Sequence, residues 1–277
     1  MQYGIAIFFT HYSISPAELA VAAEERGFES LWVAEHSHIP TSRRSAFPGG
    51  GDLPKMYYDV MDPFVTLSAA SAVTTKLLLG TGICLVVQRD PIQTAKSVAS
   101  LDQVSQGRLL FGVGGGWNAE EMENHGTDFS RRWKLLRERV EAMKAIWTQK
   151  EAEYHGELVD FEPVFAWPKP AQQPHPPVLV GGAWPGGARR AARYGDGWIP
   201  LSPGAKAIGE QMEGFRKLCQ EAGRPELPVT IFGATPKPGT LAAFRDAGVS
   251  RSVLFVAPAG RDEVLPVLDQ YAELARA

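Results

Sequence analysis

Short apolar runs alternate with longer amphipathic ones from end to end of this chain, and that rhythm limits its fold more than any other feature. Tyr3 to Phe9, Ser30 to Ala34, Leu77 to Val87 and Leu109 to Val113 read as strands, and so do Val178 to Val180, Trp198 to Leu201, Val229 to Phe232 and Ser252 to Val256. A helical stretch follows each one. Buried parallel strands appear as nearly continuous aliphatic runs, and strand-helix alternation calls for βα units. Eight such pairs predict an α/β fold, a closed (β/α)8 TIM barrel rather than an open sheet. The 277 residues suit a barrel of about 250 residues plus insertions, so one domain over 1–277 is expected.

Local signals support the helices. Ser15-Pro16-Ala17-Glu18 supplies an N-cap, a proline in the first turn and a capping-box acid, and Gly27 ends that helix. Asp62-Pro63 and Asp90-Pro91 repeat the cap-plus-proline device. From about Arg131 to Thr148, Trp133, Leu136, Val140, Met143 and Trp147 recur at spacings of three and four, the stripe of a helix packed on one face. Two stretches break the rhythm and read as insertions after strands 2 and 4. The first, about 38–59, is polar and contains Pro48-Gly49-Gly50-Gly51, the composition of a lid or a disordered loop. The second, about 150–177, has a hairpin turn at Tyr154-His155-Gly156-Glu157 and six prolines from Pro163 to Pro177.

Composition removes several functions. A net charge of −3, with no Lys and Arg cluster among aromatics, argues against nucleic-acid partners. No apolar run reaches the roughly 18 residues of a membrane span, and the first residues lack a signal-peptide pattern, so a cytoplasmic protein away from membranes is expected. Cys84 and Cys219 stand alone without metal or disulfide spacing and read as reduced thiols.

In a barrel the chemistry gathers at the C-terminal strand ends, and here those ends turn polar or glycine-rich. Glu35, His36 and His38 leave strand 2, where an imidazole can donate a hydrogen bond or move a proton near neutral pH. The His36-x-His38 pair also fits zinc on a barrel, but His155 and His175 fall in the insertion, so no metal site is expected. Gly82-Ile83 at the end of strand 3 allows a bulge with Ile83 against a planar ring. Gly114-Gly115-Gly116 lacks dinucleotide spacing. It serves either as a tight βα turn or as bare backbone beside a flat ligand, with Trp117 to stack and Asn118 to hydrogen-bond. Gly181-Gly182-Ala183 leads into a helix and reads as either a glycine-rich loop or a phosphate cradle, with Arg189 or Arg190 as the nearest full positive charge.

Together these residues resemble the luciferase-like monooxygenase superfamily, particularly its branch of oxidoreductases that use the deazaflavin coenzyme F420. The resemblance rests on Ser30-Leu-Trp-Val-Ala-Glu-His36, Leu79-Gly-Thr-Gly-Ile83 and Pro91 to Lys96 with Leu101-Asp102 and Gly107-Arg108. It continues through Gly112 to Asn118 with Glu120-Glu121, and Tyr194-Gly-Asp-Gly-Trp198. It implies a planar tricyclic cofactor in the barrel mouth, F420 or alternatively FMN. Gly82-Ile83 would form a non-prolyl cis peptide behind the ring, Gly116, Trp117 and Asn118 would line it, and Gly181, Gly182 and Ala183 would hold the phosphate. His36, with Glu35 beside it, would be the catalytic group, acting on a small organic substrate, and the chain would pair as a homodimer. Glu35 stands where the sugar-phosphate dehydrogenases of the family carry Asp, and Trp117 where they carry an acid, which argues against a glucose phosphate substrate. With F420 the reaction would be hydride transfer. With FMN it would be oxygenation by reduced flavin.

Overall fold

The computed structural model describes residues 1–276. The chain begins with β1 (Gln2–Ile7), α1 (Pro16–Glu25), β2 (Ser30–Val33), a short α2 (Met56–Asp59), α3 (Pro63–Ser71), β3 (Leu78–Thr81), α4 (Pro91–Val104) and β4 (Leu109–Val113). After α5 (Ala119–Asn124) and α6 (Arg132–Thr148), an antiparallel hairpin of β5 (Ala152–His155) and β6 (Asp160–Val164) projects before the rhythm resumes. It ends with β7 (Val178–Gly181), α7 (Gly186–Tyr194), β8 (Gly197–Ile199), α8 (Ile208–Glu221), β9 (Thr230–Ala234), α9 (Pro238–Asp246), β10 (Arg251–Phe255) and α10 (Arg261–Arg276).

Eight strands pair in the order β8-β7-β4-β3-β2-β1-β10-β9, and every named pairing among them is parallel. Bridges from Trp198 to Val229 and from Leu201 to Phe232 join the two ends. This is the expected TIM barrel. The cap signals act as read: Ser15 accepts from the Glu18 N–H, Asp62 from Phe64 and Val65, and Asp90 from Gln93.

Strand alternation divides the apolar residues into two cores. Ile5, Ile7, Leu31 and Val33 face the helices, whereas Ala6, Trp32, Leu110, Leu179 and Val253 point into the barrel. Trp32 is fully buried and lies flat over Gly80, where a Cβ would come within 2.3 Å of the indole. With Leu110 and Leu179 it fills the lower lumen, so open space begins only above it. Val33, one residue out of phase with Trp32, belongs to the outer core.

Three elements depart from the sequence reading. Strand 3 ends at Thr81 rather than running to Val87: a cis peptide follows at Gly82–Ile83, and the chain turns through a 3-10 segment at Val86–Gln88. The segment after β2 contains the short helix α2, and α5 follows the glycine run; neither is long enough to show a periodic stripe.

Candidate functional site

A cavity of about 660 Å³ opens above the filled lumen at the C-terminal strand ends. A second depression, of about 460 Å³, lies outside the barrel against α1 and α10 and touches none of the strand ends. The first is the candidate site. Glu35, His36, Gly82 and Ile83 line it on one side, Gly116 and Trp117 border it, and Gly181, Gly182 and Ala183 form its far edge.

Asn118 is the exception among the residues expected to line the cavity. Its side chain is 1% exposed and caps α5, its carbonyl oxygen accepting from the Glu121 N–H at 3.3 Å. The carbonyl oxygen is thus engaged at a helix start behind the wall, while the amide nitrogen is buried without a partner. That cap has a consequence at the site. It sets Glu121 in the first turn of α5, fully buried, with one carboxylate oxygen 2.8 Å from His36 Nδ1 and the other accepting from the Ser37 N–H at 3.2 Å. An ionised carboxylate only accepts, so Nδ1 carries the hydrogen and Nε2 is the nitrogen free for a ligand. The sequence did not assign Glu121 a role, although Asn118-x-x-Glu121 has the spacing of an N-cap followed by an N3 acid.

Glu35, expected beside His36 as a catalytic group, holds the framework. Its carboxylate accepts from the Leu85 N–H at 2.6 Å and pairs with Arg89, which also reaches Asp62. Burial, the largest single influence, would lower the pKa of Arg89, but Glu35, Cys84 and Asp62 together outweigh it and hold the guanidinium charged. Cys84, buried beneath, has its thiol pushed far up by burial and by the charge of Glu35, so it is inert as a nucleophile. His38 turns away from His36, toward Ser37 Oγ and Asn124.

The far edge has a different character. Gly182 has φ +124°, which places the loop in a conformation an L side chain rarely adopts, and no side chain caps the start of α7. Arg190 lies against this loop with its guanidinium carbon 3.6 Å from the centre of the Trp133 ring, and Arg132 approaches the same ring at 4.6 Å. The Nε of each is buried without a hydrogen-bond partner. Burial lowers the pKa of both, a cost that a bound anion would offset. Trp133 in turn lies against Gly115, where a Cβ would come within 2.5 Å of the indole. Arg189 is exposed.

The site is therefore a slot with a bare-backbone wall at Gly114 to Gly116, an apolar backing at Ile83, a carboxylate-held imidazole at one end, and at the other a glycine loop with Arg190 packed against it, its Nε unpartnered. A flat heterocycle with an anionic tail fits those donors and walls. No helix among the described residues is long and apolar enough to cross a membrane.

The chain resembles known proteins along nearly all its length. An uncharacterized protein of Mycobacterium tuberculosis is 45% identical over 266 residues, covering 93% of this chain and 92% of that one. An F420-dependent hydroxymycolic acid dehydrogenase of the same species is 27% identical (82% and 60% covered), and the oxygenase component of a flavin-dependent trigonelline monooxygenase from Acinetobacter baylyi is 28% identical (76% and 56%). Among solved structures, the monooxygenase RslO1 from Streptomyces bottropensis superposes with a TM-score of 0.77 at 22% identity, covering 99% of this chain and 98% of its own. Residues 2–236 match the model of the luciferase-like monooxygenase family, whose members are oxidoreductases, and on that match the chain belongs to this family.

Proposed function

We propose that this protein is an F420-dependent oxidoreductase that moves a hydride between the deazaflavin and a small organic substrate. The observation that carries the reading is the His36–Glu121 pair at the edge of the slot. When bound, the deazaflavin supplies a carbon that gives or accepts a hydride. The protein must then place the substrate carbon against the ring and manage a proton. Ile83 would back the ring, Gly114 to Gly116 would admit its edge, and Gly181 to Ala183 with Arg190 would hold the phosphate. His36 Nε2 would take the proton of a substrate hydroxyl as its carbon loses hydride, or return one to a carbonyl oxygen in the reverse direction. Glu121 stabilises the resulting imidazolium and fixes its orientation. Glu35 acts here as a positioning residue through Leu85 and Arg89.

The second reading, a monooxygenase that uses reduced FMN and oxygen, draws support from the flavin-dependent relative. Titration of the purified protein with F420 and with FMN, followed by tryptophan fluorescence from Trp117 and Trp133, separates the two. Saturable binding of F420, with FMN weaker, is expected. Tight FMN binding with no response to F420 would overturn the F420 reading.

A further inference from the structure

The end of the cavity around His36 is built mainly of rings. His36 stands 5.3 Å from Tyr57 and 5.8 Å from Trp117, centre to centre, and Phe47 stands 5.2 Å from Tyr57 and 6.0 Å from Trp117. His36, Tyr57 and Trp117 line the cavity, and Phe47, packed against the last two, closes the circuit behind them. Phe8 continues it from Tyr57 at 4.8 Å and reaches Phe255 at 5.9 Å. The rings come from separate segments, β1 and its following loop, the lid after β2, the loop after β4 and the end of β10, which converge only in the folded chain.

Two further observations define what this end can accept. No Lys or Arg lines the cavity, and the single acid that does, Glu35, is already paired with Arg89. An anion entering beside His36 would shed its water without gaining a counter-ion. The unpartnered guanidinium groups of Arg132 and Arg190 lie at the opposite end; Arg43, whose Nη1 is also unpartnered, stands 5.9 Å from the centre of the Trp117 ring and does not line the cavity. The lid that carries Phe47 is also fastened in place. Glu120 accepts from the Ser45 N–H at 2.9 Å and from its hydroxyl at 2.5 Å, and the same hydroxyl accepts from the Ala119 N–H at 3.0 Å. The Phe47 ring folds back over Gly49, where a Cβ would come within 2.5 Å of it. Among the described residues the Tyr57 hydroxyl makes no hydrogen bond, which leaves it as a second polar handle on a residue that lines the cavity.

We infer that Tyr57 and Trp117, held in place by Phe47 behind them, form the substrate-recognition site and that it takes an uncharged, ring-bearing molecule with one oxygen function for His36, rejecting anions of the same shape. The inference rests on the proposed function for the position of the reacting atom. Stacked or edge-on contact with several aromatic rings selects a flat hydrophobic body, while the lone imidazole and phenol orient its oxygen.

The test uses acetophenone and 4-acetylbenzoate, which share a ring and a carbonyl and differ by a carboxylate. Each is titrated by ligand-detected NMR against the cofactor-loaded protein, after cofactor affinity has been measured on the same sample. Acetophenone is expected to bind at least about tenfold more tightly. Phe47→Ala and, as a milder variant, Phe47→Leu are expected to weaken acetophenone by about tenfold and by less, respectively, with cofactor affinity unchanged. Equal binding of the two probes, or a Phe47 effect that is the same for both, overturns the inference while F420 binding still stands. If FMN binds and F420 does not, the cofactor reading falls, and the same two probes against the FMN-loaded protein decide the recognition site.

Discussion

The two ends of the barrel treat buried polar groups in opposite ways. At the base, Asp102 is fully buried and accepts from the Gln172 N–H and side-chain amide at 2.8 and 2.7 Å. Arg108 nearby donates to Ser105, Thr74, Leu77 and Ser71, and Arg251 pairs with Glu29. Toward the mouth, buried polar atoms on Thr10, Arg43, Asp59, Gln88, Asn118, Arg132 and Arg190 lack partners, with Arg139 in the middle of α6 and Tyr194 on the last turn of α7 as exceptions. An unsatisfied buried donor costs about 1–3 kcal/mol. A chain that meets this requirement so fully at one end and neglects it at the other has reserved the second end for ligands.

Removing a mouth group should therefore cost function, and removing a base group should cost stability. The largest effect is expected from His36→Asn. Losing the group that moves the proton should lower turnover by about a hundredfold to ten-thousandfold, with the cofactor still bound and Glu121 still held by the Ser37 N–H. Steady-state kinetics beside a cofactor titration measures both. Unchanged turnover would leave the mouth without its chemical centre.

Asp102→Ala is the counterpart at the base. It leaves two donors of Gln172 unsatisfied and should lower unfolding free energy by about 3 kcal/mol, read by urea denaturation, with cofactor affinity unchanged. Next in size is Arg190→Gln. Losing a charge-assisted contact with a phosphate should weaken the cofactor by about tenfold to a hundredfold. The same change also removes the burial that now lowers the pKa of Arg190, so the cofactor-free protein should be no less stable than before. A loss of stability without a loss of affinity would reverse the comparison.

The sequence showed the base more readily than the mouth, and the reason is physical. Strand alternation, cap residues and helical stripes are short-range features, so β4 was read to the residue and α1, α3 and α4 were recognised from their caps. The mouth depends on long-range partners. His36 and the glycine runs were legible because strand ends are marked in the sequence, and the cis peptide at Gly82–Ile83 stands where the resemblance implied. Glu121 is 85 residues from His36, and nothing local ties it to an imidazole. Phe47 and Tyr57 lie in a polar segment without periodicity, where long-range contacts such as the Ser45–Glu120 anchor and the Arg44–Glu123 pair fix where the rings fall. The cap made by the Asn118 oxygen was not foreseen for the related reason that an amide can cap a helix or meet a ligand, and the short α5 gave no stripe to decide between them.

The smallest predicted effect tests whether a mouth group tied to His36 only indirectly also trades stability for position. His125 Nε2 is 2.7 Å from Ser37 Oγ, and the His38 ring lies 5.4 Å away. Burial first, then the neighbouring His38, lowers the pKa of His125, against opposing charges on Glu121 and Glu35 and a reinforcing one on Arg89. Because the folded state holds this imidazole less willing to take a proton than the unfolded chain does, its stability contribution is complete above the ordinary histidine range near 6.5. It is lost as pH falls from there through the lowered value. The melting temperature should therefore drop between pH 7.5 and 5.5, and His125→Gln should flatten that drop while leaving the base network unaffected. Ser37 also holds Glu121 through its N–H, so the wild-type protein should lose substrate affinity over the same window and the variant should lose less. An identical acid response in both proteins would remove His125 from the mouth's pH dependence and shift that sensitivity to other titrating groups.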